Sequence, residues 1–355
     1  MNNFEKIRQM LDKKGLDAVL VTSEANRKYA TGFHSTAGMA LITKNQTYFY
    51  IDSRYIEAAR KSIEGAVIEM TDLSISYYDK VNAVIKNEGI KILGVEDGGM
   101  SHSDYIQTQN KLKIELASAQ ALFTELRMVK NAEEIEKLTR AQRIAEKAYE
   151  QVLGIIRPGL TEKDIASELI YRMLKAGAEG LSFDPIVVSG AKSSLPHGVP
   201  GDKAIQRGDF LTMDFGCRYD GYCSDMTRTV AVGGATDEMR LVYETVLKAQ
   251  KTAISNAKAG ITGAEVDKFA RDIITEAGYG QYFGHGFGHG VGLDVHEAPT
   301  ANPSGNTAMP IGSVISAEPG IYLPQRFGVR IEDVIVLTGE GNTDITLAPK
   351  ELLII

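Results

Sequence analysis

Five side chains of metal-ligand type follow one another through the second half of this 355-residue chain: Asp214, Asp225, His289, Glu318 and Glu332. Four hard carboxylates and one imidazole suit two small divalent cations sharing a pocket, and two such cations can activate a water molecule. The first pair lies in DFLTMDFGCRYDGYCSDMTRTVAV (209–232), which reads as a β-hairpin turned at Asp220-Gly221. With those two residues as the loop, Tyr219 faces Tyr222 and Asp225 faces Gly216. Gly216 shares a sheet face with Asp214, because side chains alternate along a strand. The two carboxylates become diagonal neighbours, roughly 6–8 Å apart at Cβ, and Gly216 leaves room for a cation beside them.

The second cluster is GHGFGHGVGLDVHE (284–297), which holds His285, His289 and His296, three of the six histidines in the chain. Its alternating glycines rule out the helix that an HExxH zinc site requires, and they do not fall in the GxGxxG register. SGAKSS (189–194) lacks the second glycine of a phosphate loop, so no nucleotide cofactor is expected. Glu318 precedes Pro319-Gly320 at a strand end, and Glu332 lies in GVRIEDVIVL, whose apolar alternation buries every second residue. A buried carboxylate needs a partner charge or a metal. Arg330, two residues before Glu332 and on the same face, could supply a simple ion pair instead of a metal. Asp333 points the other way and is expected in solvent. His197, in LPHGVPGD between two prolines, is either a turn residue or a site residue.

The rest of the chain must position these groups. Residues 1 to about 120 alternate helical and strand patterns: a helix at 3–14, strands at 16–21, 37–43 and 47–52, a helix at 75–88, a strand at 90–96, a helix at 102–111 and a short strand at 113–118. That is a small α/β domain, in which His34 and His102 read as loop or cap residues. Asn131, with Glu134 three residues on, reads as a capping box opening a long helix. The expected division is a domain over 1–125 and a larger one over 126–355. The larger domain contains an internal repeat. GLTEKDIASELIYRMLKAG (159–177) matches GITGAEVDKFARDIITEAG (260–278) at an offset of 101, each with a capping Thr and a terminal Gly. RGDFLTMDFG (207–216) matches IGSVISAEPG (311–320) at an offset of 104, which lays Asp214 on Glu318. Two related α/β halves donating carboxylates from equivalent strands build one site on a pseudo-twofold axis.

Composition narrows the classes. The net charge of −7, without a Lys/Arg run, argues against a nucleic-acid surface. MNNFEKIRQMLDKKG is an amphipathic helix pattern rather than a leader, and no apolar run reaches membrane-spanning length, so a cytoplasmic protein is expected. Cys217 and Cys223 are the only cysteines; they exclude a disulfide framework and read as small buried apolar residues rather than thiolate ligands.

The order Asp, Asp eleven residues on, a Gly-flanked His, Glu in an EPG turn and Glu after Arg resembles the pita-bread metallopeptidases. These comprise methionine aminopeptidases, aminopeptidase P and prolidase, together with the metal-free creatinase. The resemblance implies a creatinase-like N-terminal α/β domain followed by a pita-bread α/β domain with a pseudo-twofold repeat. It also implies two divalent cations per chain, manganese foremost with cobalt or zinc as alternatives. Asp225 and Glu332 would bridge both ions, Asp214 would bind one, and His289 with Glu318 the other. By position His197, His285 and His296 match the family's accessory histidines. His285, Arg330 and the extra N-terminal domain look like the proline-directed branch.

The implied activity is hydrolysis of the Xaa–Pro bond at a free peptide N-terminus. His296 and His197 would donate to the oxyanion, Glu318 would shuttle the proton and Arg330 would orient Glu332. Prolidases generally carry an Arg after the second motif, suited to a dipeptide carboxylate, whereas 296–318 here holds neither Arg nor Lys. That favours an aminopeptidase P-like enzyme over a dipeptide-only prolidase. The resemblance further implies a homodimer formed through the N-terminal domain. A non-catalytic peptide-binding protein on the same scaffold and a creatinase-type hydrolase are the rivals, and both are disfavoured by the intact ligand set.

Overall fold

A computed structural model describes residues 3–355, and the chain divides into two units between Arg127 and Met128. In the first unit, in chain order, are α1 (Asn3–Lys13), β1 (Ala18–Val21), α2 (Glu24–Thr31), β2 (Met39–Thr43), β3 (Thr47–Ile51), α3 (Ile56–Ser62), β4 (Val67–Met70), α4 (Tyr77–Glu88), β5 (Ile92–Val95), α5 (His102–Leu112), β6 (Glu115–Ser118) and α6 (Gln120–Met128). The strands form one mixed sheet in the order β4-β3-β2-β1-β5-β6. Sequence reading misses α2, α3, β4 and α6, the last falling where only a domain boundary was expected. Each is short, and β4 is an edge strand without a sealed residue, so no apolar period marks it.

The second unit continues with α7 (Ala132–Leu153), α8 (Glu162–Lys175), β7 (Gly180–Leu181), β8 (Ile186–Ser189), β9 (Phe210–Phe215), β10 (Cys217–Tyr219), β11 (Tyr222–Cys223), β12 (Met226–Ala231), α9 (Asp237–Asn256) and α10 (Gly263–Glu276). After them come β13 (Gly288–Gly290), β14 (Glu297–Ala301), β15 (Val314–Ala317), β16 (Gly320–Leu323), β17 (Phe327–Arg330), β18 (Asp333–Leu337) and β19 (Asn342–Asp344). The expected capping box opens α7: Asn131 accepts from the Glu134 N–H, and the Glu134 side chain returns to the Asn131 N–H.

The internal repeat is structural. α8 and α10 begin with capping boxes, Thr161 with Asp164 and Thr262 with Glu265, and both end in an Ala cap followed by a left-handed glycine, Gly177 or Gly278. Losing such a cap costs about 0.5–2 kcal/mol. The antiparallel series β8–β9–β12 corresponds to β13–β15–β18. Each half has its own apolar core, one around Leu169, Met213 and Phe215, the other around Val246, Phe287 and Ile335. No helix among the described residues is long and apolar enough to cross a membrane.

The hairpin has the expected register. Tyr219 pairs with Tyr222 across Asp220-Gly221, both at positive φ, and the same register carries on to Phe215–Met226 and Asp214–Thr227. Two expectations fail. Gly216 is glycine not to make room for a cation but because a Cβ there would lie 1.9 Å from the Ser224 carbonyl oxygen. The hairpin's own strands cross too closely for a side chain. Asp333 is not in solvent: it is fully buried, bonded to Arg228 at 2.7 Å and to Lys350. Every residue of β18 is buried, so both of its faces are covered and alternation marks no wet side.

Candidate active site

The five ligand-type residues come from both halves and line one cavity of about 570 Å³. Asp214 stands on β9, Asp225 just before β12, His289 in β13, Glu318 just after β15 and Glu332 just before β18. Ligand atoms of Asp225, His289 and Glu332 lie within 4.8 Å of one another. His289 Nε2 is 3.1 Å from Glu318 Oε1 and 3.7 Å from Asp225 Oδ2. His197, His285, His296 and Arg330 line the same cavity.

Backbone contacts aim these side chains. The buried Gln142 of α7 reads both main-chain groups of Asp225, donating to its carbonyl at 3.2 Å and accepting from its N–H at 3.4 Å. Ser316 Oγ accepts from the His289 N–H at 3.0 Å and donates to Glu318 Oε1 at 3.1 Å. A Cβ on Gly288 would meet the Ser316 carbonyl oxygen at 2.0 Å, so the glycines flanking the histidines allow close strand packing. The His289 Nδ1–H donates to the Gly290 carbonyl at 3.2 Å, which leaves Nε2 on the side of the carboxylates.

Arg330 does not meet Glu332 directly. Its guanidinium bonds Asp214, Tyr322 Oη at 2.8 Å, the Pro196 carbonyl at 3.2 Å and Thr227 Oγ1 at 3.0 Å. Thr227 in turn donates to Glu332 Oε2 at 2.7 Å, so the arginine reaches Glu332 through a hydroxyl. His285 is occupied at both ring nitrogens, Nδ1 on the Gly286 carbonyl at 2.8 Å and Nε2 on Tyr322 Oη at 2.9 Å. His296 is exposed on the rim, with its ring 4.2 Å from that of His289. His197 is exposed in the loop that Pro196 ties to Arg330.

Tyr322, Thr227, Gln142 and Ser316 were absent from the sequence-based site. A signal existed for Tyr322. In the β16–β17 hairpin Gly320 faces Arg330 and Gly328 faces Tyr322, leaving the two large polar side chains diagonal on one face.

Charge in the cavity is out of balance. Four buried or nearly buried carboxylates share one permanent cation, Arg330. Burial, then the neighbouring carboxylates, pushes Asp225 and Glu332 well above the usual carboxylate range. Burial likewise raises Asp214 against the pull of Arg330. Burial acts on Glu318 too, but the His289 hydrogen bond and charge outweigh it and hold Glu318 at about 2. Burial opposes the His289 charge, yet Glu318 and Asp225 lift it to about 9. Burial lowers His285 and His296, so both are neutral near pH 7. One oxygen of Asp214, Oδ1, is buried without a hydrogen-bond partner. Hard oxygens in excess, one of them unsatisfied, together with an imidazole nitrogen whose proton a cation would displace, fit divalent cations. The two cysteine thiols do not join this set: they are buried, and burial raises them to about 11 and about 12.

The model of metallopeptidase family M24 matches residues 136–339. The chain belongs to this family. The creatinase/prolidase N-terminal domain matches residues 4–129 of the same M24 peptidase. Its structure is similar to that of a Xaa-Pro dipeptidase from Bacillus anthracis, with a TM-score of 0.96, 44% identity and 99% of each chain covered. It is also similar to an X-Pro aminopeptidase from Thermotoga maritima, with a TM-score of 0.91, 38% identity, and 96% of this chain and 98% of that one covered. A Xaa-Pro dipeptidase of Pyrococcus horikoshii is 39% identical over 352 residues, 98% of each chain. The M24 peptidase is thus a metallo-exopeptidase with a creatinase-type first domain and the pita-bread fold that the resemblance implied, and its family implies divalent metal ions.

Proposed function

We propose that this M24 peptidase hydrolyses the Xaa–Pro bond at the free N-terminus of peptides and favours peptides that continue beyond the proline. Family membership supports the bond. The observation that carries the length preference is the absence of a free cation. Among the described residues lining the cavity Arg330 is the single Lys or Arg, and its N–H groups are committed to Asp214, Thr227, Tyr322 and Pro196. A dipeptide's carboxylate, next to the proline, would find no counter-charge. The segment expected to hold an arginine in a prolidase contributes Thr300 and Asn302 to the wall, neutral groups suited to the amide of a longer peptide. Phe183, Val199 and Val295 add an apolar surface that suits a proline ring.

In this reading Asp214, Asp225, His289, Glu318 and Glu332 hold two divalent cations, with manganese the first choice and cobalt or zinc the alternatives. The cations would supply Lewis acidity to the scissile carbonyl and make water a nucleophile at neutral pH. The residues do the rest. His296 and His197 donate to the oxygen that gains charge as the carbonyl becomes tetrahedral. Glu318 accepts the proton of the attacking water and returns it to the proline nitrogen as the C–N bond breaks. Arg330 holds Asp214 directly and Glu332 through Thr227, and His285 braces Tyr322 rather than touching substrate.

Stripping metal with a chelator should abolish cleavage of a Xaa-Pro-Xaa tripeptide, and manganese should restore it; full activity after stripping sinks the metal reading. Comparing a Xaa-Pro dipeptide with that tripeptide tests the length preference. The second reading, a dipeptide-only prolidase, is favoured by the dipeptidase names among the similar proteins, and cleavage of the dipeptide alone would establish it.

A further inference from the structure

Helix α10 carries an ion pair, Arg271 with Asp267, that stands outside the lining of the cavity. Asp267, 1% exposed, accepts the Phe287 N–H on Oδ1 at 2.9 Å. Both of its oxygens bind Arg271, Nε to Oδ2 at 2.7 Å and Nη2 to Oδ1 at 2.9 Å. Arg271 also donates to two main-chain carbonyls, that of Phe283 at 2.9 Å and that of His285 at 2.7 Å. Its guanidinium lies 4.2 Å from the centroid of the Phe283 ring. Two side chains of one helix therefore hold three backbone polar groups between 283 and 287.

That stretch needs an external restraint. It contains Gly284 and Gly286, and strand pairing begins only at Gly288. Glycine backbone has the largest conformational freedom to lose. A side chain cannot stiffen it at 286, where a Cβ would meet the Asn302 Cβ at 2.5 Å. Yet this stretch sets the His285 ring against Tyr322 and leads straight into His289. The other half uses the same device on its own accessory histidine. Glu162 of α8, fully buried, accepts from the Ser189 N–H at 2.8 Å, the Gly201 N–H at 3.0 Å and Lys192 Nζ at 2.7 Å, bracing the loop that carries His197.

We propose that the Asp267–Arg271 pair is a positioning device, fixing the glycine-rich backbone of 283–287 so that His289 and His285 stand where the metal centre requires them. Neither side chain lines the cavity. The kinetic consequence rests on the peptidase reading; the consequence for metal affinity does not.

The deciding variant is Asp267→Leu/Arg271→Met, which replaces a largely buried pair by apolar groups. Its thermal midpoint should fall, since three backbone groups lose their partners, but the fold should persist because no lone charge is left buried. Its dissociation constant for Mn2+, titrated calorimetrically into metal-stripped protein, should rise about ten- to a hundredfold. On a Xaa-Pro-Xaa tripeptide kcat should fall by a similar factor with KM nearly unchanged. Arg271→Lys, which reaches the carboxylate or one carbonyl but not both, should recover part of both losses. A folded double variant with wild-type Mn2+ affinity overturns the proposal, whatever its activity. If the double variant does not fold, Arg271→Gln takes its place, and wild-type affinity there overturns the proposal equally. If wild-type protein cleaves no Xaa-Pro peptide, the function reading fails while the Mn2+ affinities still decide this one.

Discussion

Glu332 and Asp333 are chain neighbours, both all but sealed from solvent, in opposite electrostatic surroundings. Asp333 belongs to a balanced set: Arg228 and Lys350 face Asp333 and Asp344, with Gln250 Nε2 donating at 2.8 Å. Burial pushes the Asp333 carboxyl up, but Arg228 and Lys350 more than reverse it. Glu332 has the Thr227 hydroxyl and three other carboxylates, and it is driven far up. Burial alone therefore does not mark a site. Imbalance does, because an uncompensated buried charge costs several kcal/mol and survives only where a cation offsets it. The balanced set holds the fold; the unbalanced one is the set proposed to hold cations.

Substitutions in either set should separate the two. Asp225→Asn should lower turnover about a thousandfold or more, the several kcal/mol that cation assistance supplies. The metal-free variant should unfold no earlier than wild type, since a repulsive charge is gone. An active variant, or one that no longer folds, would erase the distinction drawn here. Asp333→Asn should do the reverse. It leaves Arg228 and Lys350 without their shared partner and should cost about 3–5 kcal/mol of stability by urea titration, with a much smaller change in turnover per folded molecule. Next in size is the metal's own effect on stability. Manganese at about a hundred times its dissociation constant should stabilise wild type by about 2.7 kcal/mol, and Asp225→Asn far less; equal shifts would place the ion elsewhere.

The smallest effect lies in the balanced set. Burial, then the Asp333 charge, lifts Asp344 to about 6 against the pull of Lys350. The folded state thus holds the Asp344 proton more tightly than the unfolded chain, whose carboxyl titrates near 3.8. The resulting stabilisation is full below pH 3.8 and lost as pH rises through about 6. Asp344→Asn should remove that slope, and a wild-type-minus-variant stability curve flat between pH 4 and 6 would contradict the assignment.

The sequence carried the donors and their local geometry well, because both rest on short-range rules. Asp220-Gly221 fixes a hairpin register, and Thr161 and Thr262 cap repeated helices. What it did not carry is pairing across long stretches of chain. Arg330 meets Asp214 from 116 residues away, and Asp333 meets Arg228 from 105. Neither partner is visible in a strand's own alternation. Apolar alternation made Asp333 look solvated although both faces of β18 are sealed, and nearness in sequence made Glu332 the obvious partner of Arg330. Tyr322 was legible only to a reader who paired β16 with β17 before asking what their glycines leave uncovered.

The repeat has a consequence for how the site is assembled. Asp214 and Asp225 come from one half, and His289, Glu318 and Glu332 from the other. Either half alone supplies two or three of the five ligand-type side chains. The five side chains therefore share one cavity only when both halves are in place. A cation held by all five, as proposed above, would bind only the joined halves and would stabilise them against separation.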